Sequence, residues 1–343
     1  MKTIKILAAS LLSVFLISST VSAGEISVTG SVKASLTTAG SGNAAAKKET
    51  GGNALSVSND IDFNASGDLE NGWSWKWQTQ LDGGAIDDTQ LTITLGDMGT
   101  IGLYGTEGGL NFKHGGSQMA LGYGSQIGYS GDMVDPDDIG SYNNIQYHLP
   151  ALPFNTTAKI GFTAGGSATS EPGDSVLGTS GSERGGVSYL VETKPIDGLA
   201  IGASYFTVEQ ATDVAQNGQK EENGAYYASY KMGNFGVGYS KALVAPANNL
   251  GSGSTYGLYN AYENTSYSIG AVFDNLSVSY GVEKSHRNLI TDAAEYDLKI
   301  DTVQAAYTMG GMTATIGLKD IENGGYAQNA NSSEAHFVLS MAF

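Results

Sequence analysis

The sequence predicts an all-β fold, a transmembrane 16-stranded antiparallel β-barrel, and three observations predict it. The chain opens with an export signal. Apolar and polar residues then alternate with period two, run after run, through to Phe343. Short turns and long polar loops separate those runs in succession. Period-two alternation marks a strand with one apolar face. A closed barrel crosses a bilayer with only every second residue apolar.

Lys2 and Lys5 form a short positive region, followed by a mostly apolar stretch from Ile6 to Ile17. About a dozen such residues suit a cleavable signal and are too few to span a bilayer. Val21, Ser22 and Ala23 place the cut after Ala23. Residues 1–23 are therefore assigned as signal peptide and 24–343 as one barrel domain. No later run of 18 apolar residues offers a transmembrane helix.

The first strand sets Ile26, Val28, Val32, Ala34 and Leu36 against Ser27, Thr29, Ser31, Lys33, Ser35 and Thr37. The second sets Leu55, Val57, Ile61, Phe63 and Ala65 against Ser56, Ser58, Asp60, Asp62 and Asn64. The third sets Trp73, Trp75, Trp77 and Leu81 against Ser74, Lys76, Gln78 and Gln80. A one-residue slip would turn every polar group toward lipid, so the phase is well specified. Short turns fall at Asp68 to Gly72, Gly96 to Gly99, Leu149 to Pro153, Pro195 to Gly198, Met232 to Asn234, Asp274-Asn275 and Met309 to Gly311. Long loops fall near 39–52, 83–88, 107–141, 167–184, 211–222, 244–263, 287–298 and 321–333. These connections join sixteen strands, an even number, with short turns at one end and long loops at the other. Trp73, Tyr104, Tyr147, Phe154, Phe235, Phe273, Tyr307 and Phe343 lie near the short turns and are candidates for an aromatic girdle there. Phe337, Leu339, Met341 and Phe343 form the apolar face of the last strand.

Composition agrees. Glycine is 48 of 343 and charged residues are 15%, with 19 tyrosines against 6 prolines. Removing Lys2 and Lys5 leaves 15 of the 17 basic residues against 34 acids, a formal charge of −19. That excess argues against a nucleic-acid partner, which needs a basic footprint. Cysteine is absent, which excludes disulfide staples and thiol chemistry.

Four segments resemble the general Gram-negative porins, most closely the alphaproteobacterial branch. Residues Gly67-Asp68-Leu69-Glu70-Asn71-Gly72 look like the first periplasmic turn. Residues Gly96 to Gly105 look like the turn and strand that feed the third loop. Asn143-Asn144-Ile145-Gln146-Tyr147-His148-Leu149-Pro150 is similar to the strand that leaves it. Ser340-Met341-Ala342-Phe343 looks like the terminal assembly signal, with Phe337 and Leu339 on the same face. The resemblance implies a homotrimer in the outer membrane and an inward-folded third loop that forms an eyelet. It also implies passive passage of small hydrophilic solutes and ions, with no enzymatic activity. The partners implied are outer-membrane lipids and lipopolysaccharide, the outer-membrane assembly machinery and other copies of the chain.

The third loop carries Asp132, Asp135, Asp137 and Asp138. Folded inward, these form the loop side of a pore constriction, facing Lys33, Asp60, Asp62, Lys76 and Lys159 on the wall. The chain departs from the family here: its only arginines are Arg184 and Arg287, so no arginine cluster opposes the loop. The expected pore prefers cations, since a lumen of one sign concentrates the opposite ion.

No cofactor is required. Asp135, Asp137 and Asp138 are oxygen ligands suited to Ca²⁺, although they lack the EF-hand spacing. The polar phase puts His148 in the lumen, which argues against an outer-wall serine–histidine hydrolase. Two other readings remain. One is a substrate-specific channel for sugars or peptides with Tyr123, Tyr129 and Tyr142 as an aromatic slide. The other is a secreted acidic adhesin or β-solenoid, against which the chain shows no fixed-length repeat.

Overall fold

The computed structural model describes residues 24–42, 54–110, 138–163, 183–210, 221–245, 259–289 and 294–343. The signal peptide assigned to 1–23 lies outside them. Sixteen strands run in chain order. They are β1 (Glu25–Gly42), β2 (Ala54–Asp68), β3 (Ser74–Asp82), β4 (Ala85–Thr94), β5 (Thr100–Gly105), β6 (Asn144–His148), β7 (Thr157–Thr163) and β8 (Glu183–Thr193), then β9 (Leu199–Gln210), β10 (Glu222–Met232), β11 (Phe235–Ala245), β12 (Tyr259–Phe273), β13 (Leu276–Leu289), β14 (Leu298–Met309), β15 (Met312–Glu322) and β16 (Ser332–Ala342). Each pairs antiparallel with its chain neighbours, and β16 pairs back onto β1, closing the barrel. At that seam Lys33 faces Ser340 and Leu36 faces Phe337. The closed ring leaves no free edge and satisfies the backbone groups in lipid. It overturns the β-solenoid reading.

The pleat decides the two faces. Val28, Val57, Ile145, Ile160, Val191, Val237, Ile269, Val303 and Ile316 are exposed on the outside. The alternate residues, such as Gln146, Ser188, Ser240, Ser279 and Gln304, are buried on the lumenal side. All seven short turns fall where the sequence places them. One loop does not. The expected loop at 83–88 is a two-residue turn, Gly83-Gly84, and β4 already begins at Ala85. Both glycines have positive φ, 56° and 104°, which is the geometry of a tight hairpin turn.

The girdle expected near the turns is present in Tyr147, Phe154, Phe235, Phe273, Tyr307 and Phe343, all exposed on the outside. Phe235 and Phe273 meet edge to face at 6.1 Å. Tyr104 is not part of it. It belongs to the inward phase of β5, is buried and stacks on His148. Nearer the loop end a second outward belt comprises Tyr205, Tyr226, Tyr239, Tyr267 and Tyr280, all exposed. Tyr205 donates to Glu222 at 2.9 Å and Tyr280 to Asp301 at 2.7 Å. Such rings suit a membrane–water boundary, apolar in body and polar at the tip.

The closing seam has its own packing. Gly30 and Phe343 exchange two backbone hydrogen bonds of 2.9 Å. A β-carbon on Gly30 would stand 2.7 Å from Phe343 Cζ. The glycine therefore makes room for the Phe343 ring of its own chain.

Candidate functional site: the barrel lumen

The lumen has two kinds of wall. On β1–β4 the inward residues are short or polar: Ser31, Lys33 and Ser35, then Ser56, Ser58, Asp60 and Asp62, then Lys76, Gln78 and Gln80. None of the side chains described on these four strands is buried. Asp60 accepts from Ser31 at 3.2 Å, and Asp62 accepts from Gln78 and Gln80, each at 3.2 Å. Gln90 donates to Gln78 at 2.8 Å. The result is a hydrated strip with two carboxylates held among amides and hydroxyls. Lys33 stands two residues along β1 from Ser31, which pairs with Asp60. Four of the expected wall residues therefore share this strip. Lys159 does not: it lies on β7, paired with His148 and Leu190.

The other wall carries chain folded against its inner surface. The strand β5 ends at Gly105, and Thr106 turns the chain off the sheet with φ 51°. Residues 107–110 and 138–142, the two roots of the long third loop, then lie inside. Ile139 and Leu110 pack with Phe206 and Val208 of β9, with Tyr142 and Leu190 alongside. Ile139 and Phe206 are 0% exposed. A β-carbon on the lumenal Gly161 would come within 2.8 Å of Ile139 Cδ1 and 3.2 Å of Leu110 Cδ1, so glycine lets the root lie flat. The inward residues of β6 tie the roots together. Asn144 Nδ2 donates among the carbonyls of Glu107 (2.8 Å), Ile139 (3.1 Å) and Tyr142 (2.8 Å). Gln146 Nε2 donates to Gly108 and, at 2.9 Å, to Asn144 Oδ1. The Asn-Asn-Ile-Gln segment thus has a mechanical role: alternate amides staple the loop to the wall while Ile145 faces out.

Asp138 caps the short 3-10 turn Ile139–Ser141, accepting from Gly140 N at 2.7 Å. Asp132, Asp135 and Asp137 lie outside the described residues, as do Tyr123 and Tyr129. Among the described residues no three acidic or histidine side chains converge as a metal site. Tyr142 packs on Phe206 at 6.1 Å between ring centroids, inside the loop root. It belongs to that packing rather than to an exposed slide.

Strand phase adds lumenal charges that the residue-by-residue reading missed. Glu192 accepts from the inward Tyr227 and lies 3.1 Å from Lys194. Glu283 and Arg287 share the inward face of β13, and Lys319 on β15 pairs in register with Glu334 on β16. His336 bonds Glu334 at 2.8 Å and Thr37 at 3.1 Å. The readable signal was the run Ser279, Gly281, Glu283, Ser285, Arg287 alternating with Val278, Tyr280 and Val282. With these included, the described wall sets Asp60, Asp62, Glu192, Glu283 and Glu334 against Lys33, Lys76, Lys159, Arg287 and Lys319. These ten charges are five of each sign.

Sixteen antiparallel strands around a polar lumen, with a long loop rooted inside, define a porin-type barrel. No protein-family model and no curated protein sequence matches the chain. Solved structures do. A porin refined at 1.8 Å is 13% identical with a TM-score of 0.61, covering 93% of this chain and 100% of that one. An anion-selective porin from Comamonas acidovorans is 12% identical with a TM-score of 0.65, again over 93% and 100%. Salmonella typhi OmpF, in a complex with daunomycin, is 13% identical with a TM-score of 0.65 over 94% and 98%. The barrel architecture is that of these solved porins.

Proposed function

We propose that this chain forms a water-filled general-diffusion channel for small hydrophilic solutes and ions in the outer membrane of a Gram-negative bacterium. The observation that carries this reading is the polar, unburied strip on β1–β4 inside a closed barrel of a size that leaves an aqueous path. The four segments quoted above support the alphaproteobacterial branch.

The channel prefers cations. The wall charges named above cancel, so the bias rests on the loop carboxylates Asp132, Asp135 and Asp137 and on the acidic chain as a whole. A calcium ion at Asp135, Asp137 and Asp138 would share the Asp138 carboxylate with the Gly140 N–H, which donates to Oδ1.

The assembly is a homotrimer whose contact lies on the arc from β14 through β16 to β5. The loop-end tyrosine belt supports this, since it occupies β9–β13 while the arc presents Val303, Leu318, Phe337, Leu36 and Val57 at its outer face. A boundary against lipid and water favours tyrosine, whereas a subunit contact favours aliphatic packing. The terminal face Phe337, Leu339, Met341 and Phe343 serves assembly, and Phe343→Ser lowers the yield of barrel in the membrane.

The test is reconstitution of purified protein into a planar bilayer. Stepwise conductance and a cation-signed zero-current potential across a KCl gradient are expected. Absence of conductance from correctly folded protein overturns the channel reading, and an anion sign overturns the selectivity. Replacing Asp135, Asp137 and Asp138 with asparagine moves the potential toward zero. An unchanged potential places this loop outside the constriction.

A further inference from the structure

The connection between β15 and β16 turns into the barrel. Four residues in it have positive φ: Asn323 (53°), Gly325 (62°), Tyr326 (58°) and Asn329 (59°). Asparagine and glycine tolerate this region, but a bulky side chain there persists only where its surroundings hold it. Those surroundings are built. Gly324 N donates to Ala330 O at 2.7 Å, Asn329 N to Asn323 Oδ1 at 3.0 Å, and Asn323 N to Asn331 Oδ1 at 3.1 Å. Asn323 Nδ2 also donates to Asp297 O at 3.0 Å, fastening this loop to the end of its neighbour.

The conformation aims the Tyr326 ring at the inner wall. Its hydroxyl is 2.6 Å from Ser285 Oγ, its centroid is 5.6 Å from Tyr262, and the Arg287 guanidinium lies 4.8 Å over its face. Beneath and beside it are Val244, Leu298, Ile300 and Ile321, none more than 4% exposed. These wall residues belong to the inward phase of β11, β14 and β15, the phase that elsewhere carries serine, threonine and glutamine. An aliphatic patch facing an aqueous lumen is unfavourable unless something covers it, and here Tyr326 does.

We propose that the β15–β16 loop is a fixed second narrowing of the pore. Tyr326 is its anchor, and Arg287, stacked on that ring, is a cation held at its rim. The inference rests on the channel reading above and adds a constriction element distinct from the third loop, which is rooted on β6–β9.

The experiment compares the parent with Tyr326→Ser and Tyr326→Phe in planar bilayers, with heat-modifiable gel mobility reporting an intact barrel. Release of the anchor is expected to raise single-channel conductance about 1.2- to 1.5-fold, as a wider lumen should. The phenylalanine variant keeps the ring and is expected at the parent value. A conductance of Tyr326→Ser at or below the parent overturns the narrowing. The chain has no cysteine, so Ile300→Cys gives a clean second readout that needs no conductance. Its maleimide labelling is expected to be roughly tenfold faster when combined with Tyr326→Ser, because the covering loop opens locally. Equal rates overturn the docking. A parent that labels as expected but never conducts sinks the channel reading and leaves the docked loop standing.

Discussion

The two sides of this lumen are made from the same kind of strand yet behave differently. On β1–β4 the inward phase is an unbroken run of polar residues, chiefly serine, threonine, lysine, aspartate and glutamine, and nothing described there is buried. On β7–β9 and β11–β15 the inward phase is interrupted by Leu190, Phe206, Val208, Val244, Leu298, Ile300 and Ile321, and at both interruptions a loop folds in to cover them. Each cluster of large apolar residues in the polar phase is therefore informative: here it marks where chain returns to the wall. On the proposed channel reading, the polar strip is what remains for water and ions, so docking and permeation would divide the circumference between them.

The comparison breaks most readily at Phe206. Fully buried between Leu110, Ile139 and Tyr142, it should cost about 3–5 kcal/mol when cut to alanine. The loss should fall on the docked root rather than on strand pairing. Hydrogen exchange at the amides of 139–142 is expected to accelerate, while Ser58→Ala on the open wall stays within about 0.5 kcal/mol of the parent. Unchanged protection at the root in Phe206→Ala would mean that the Asn144 and Gln146 staples alone hold it.

Gly161 sharpens the same point at a smaller scale. A methyl group there meets the flexible tips of Ile139 and Leu110, at 2.8 and 3.2 Å, rather than backbone. Gly161→Ala should therefore cost about 1 kcal/mol, near the low end for overpacking. It should speed exchange at the root less than Phe206→Ala does. A larger effect would show that the root cannot shift.

Much of the barrel was legible because alternation and turns are local signals. The phase of β1–β3 and all seven short turns came from neighbouring residues, and the lumenal wall candidates Lys33, Asp60, Asp62 and Lys76 follow from that phase. The Gly83-Gly84 turn was missed because the polar residues after it, Asp87 and Asp88, read as loop although they lie in β4. The fit of Gly30 to the Phe343 ring was hidden, because that ring lies at the far end of the chain. The inward turn of the β15–β16 loop was also hidden. It depends on Tyr326 meeting Ser285, 41 positions away, and Arg287, contacts that no period reveals.

The smallest effects concern charge. If the open strip is the conducting side, Asp60 and Asp62 act on ions directly, while Glu283, 4% exposed on the covered side, acts through more protein. A unit charge about 10 Å from an ion in water contributes roughly 0.4 kcal/mol, about a twofold bias in local concentration. Asp60→Asn and Asp62→Asn, combined, should therefore shift the zero-current potential toward anions, with local cation concentration changed about fourfold, anion concentration about fourfold the other way, and the permeability ratio about sixteenfold at most. Asparagine preserves the size of each side chain and its contacts with Ser31, Gln78 and Gln80, so the barrel should remain intact. Glu283→Gln should shift the potential less. Repeating the measurement near 1 M KCl, where the screening length is about 3 Å, should nearly erase the difference. If Glu283→Gln moved the potential as far as the double variant, ions would be passing the covered wall as closely as the open one, and the division of the circumference would be wrong.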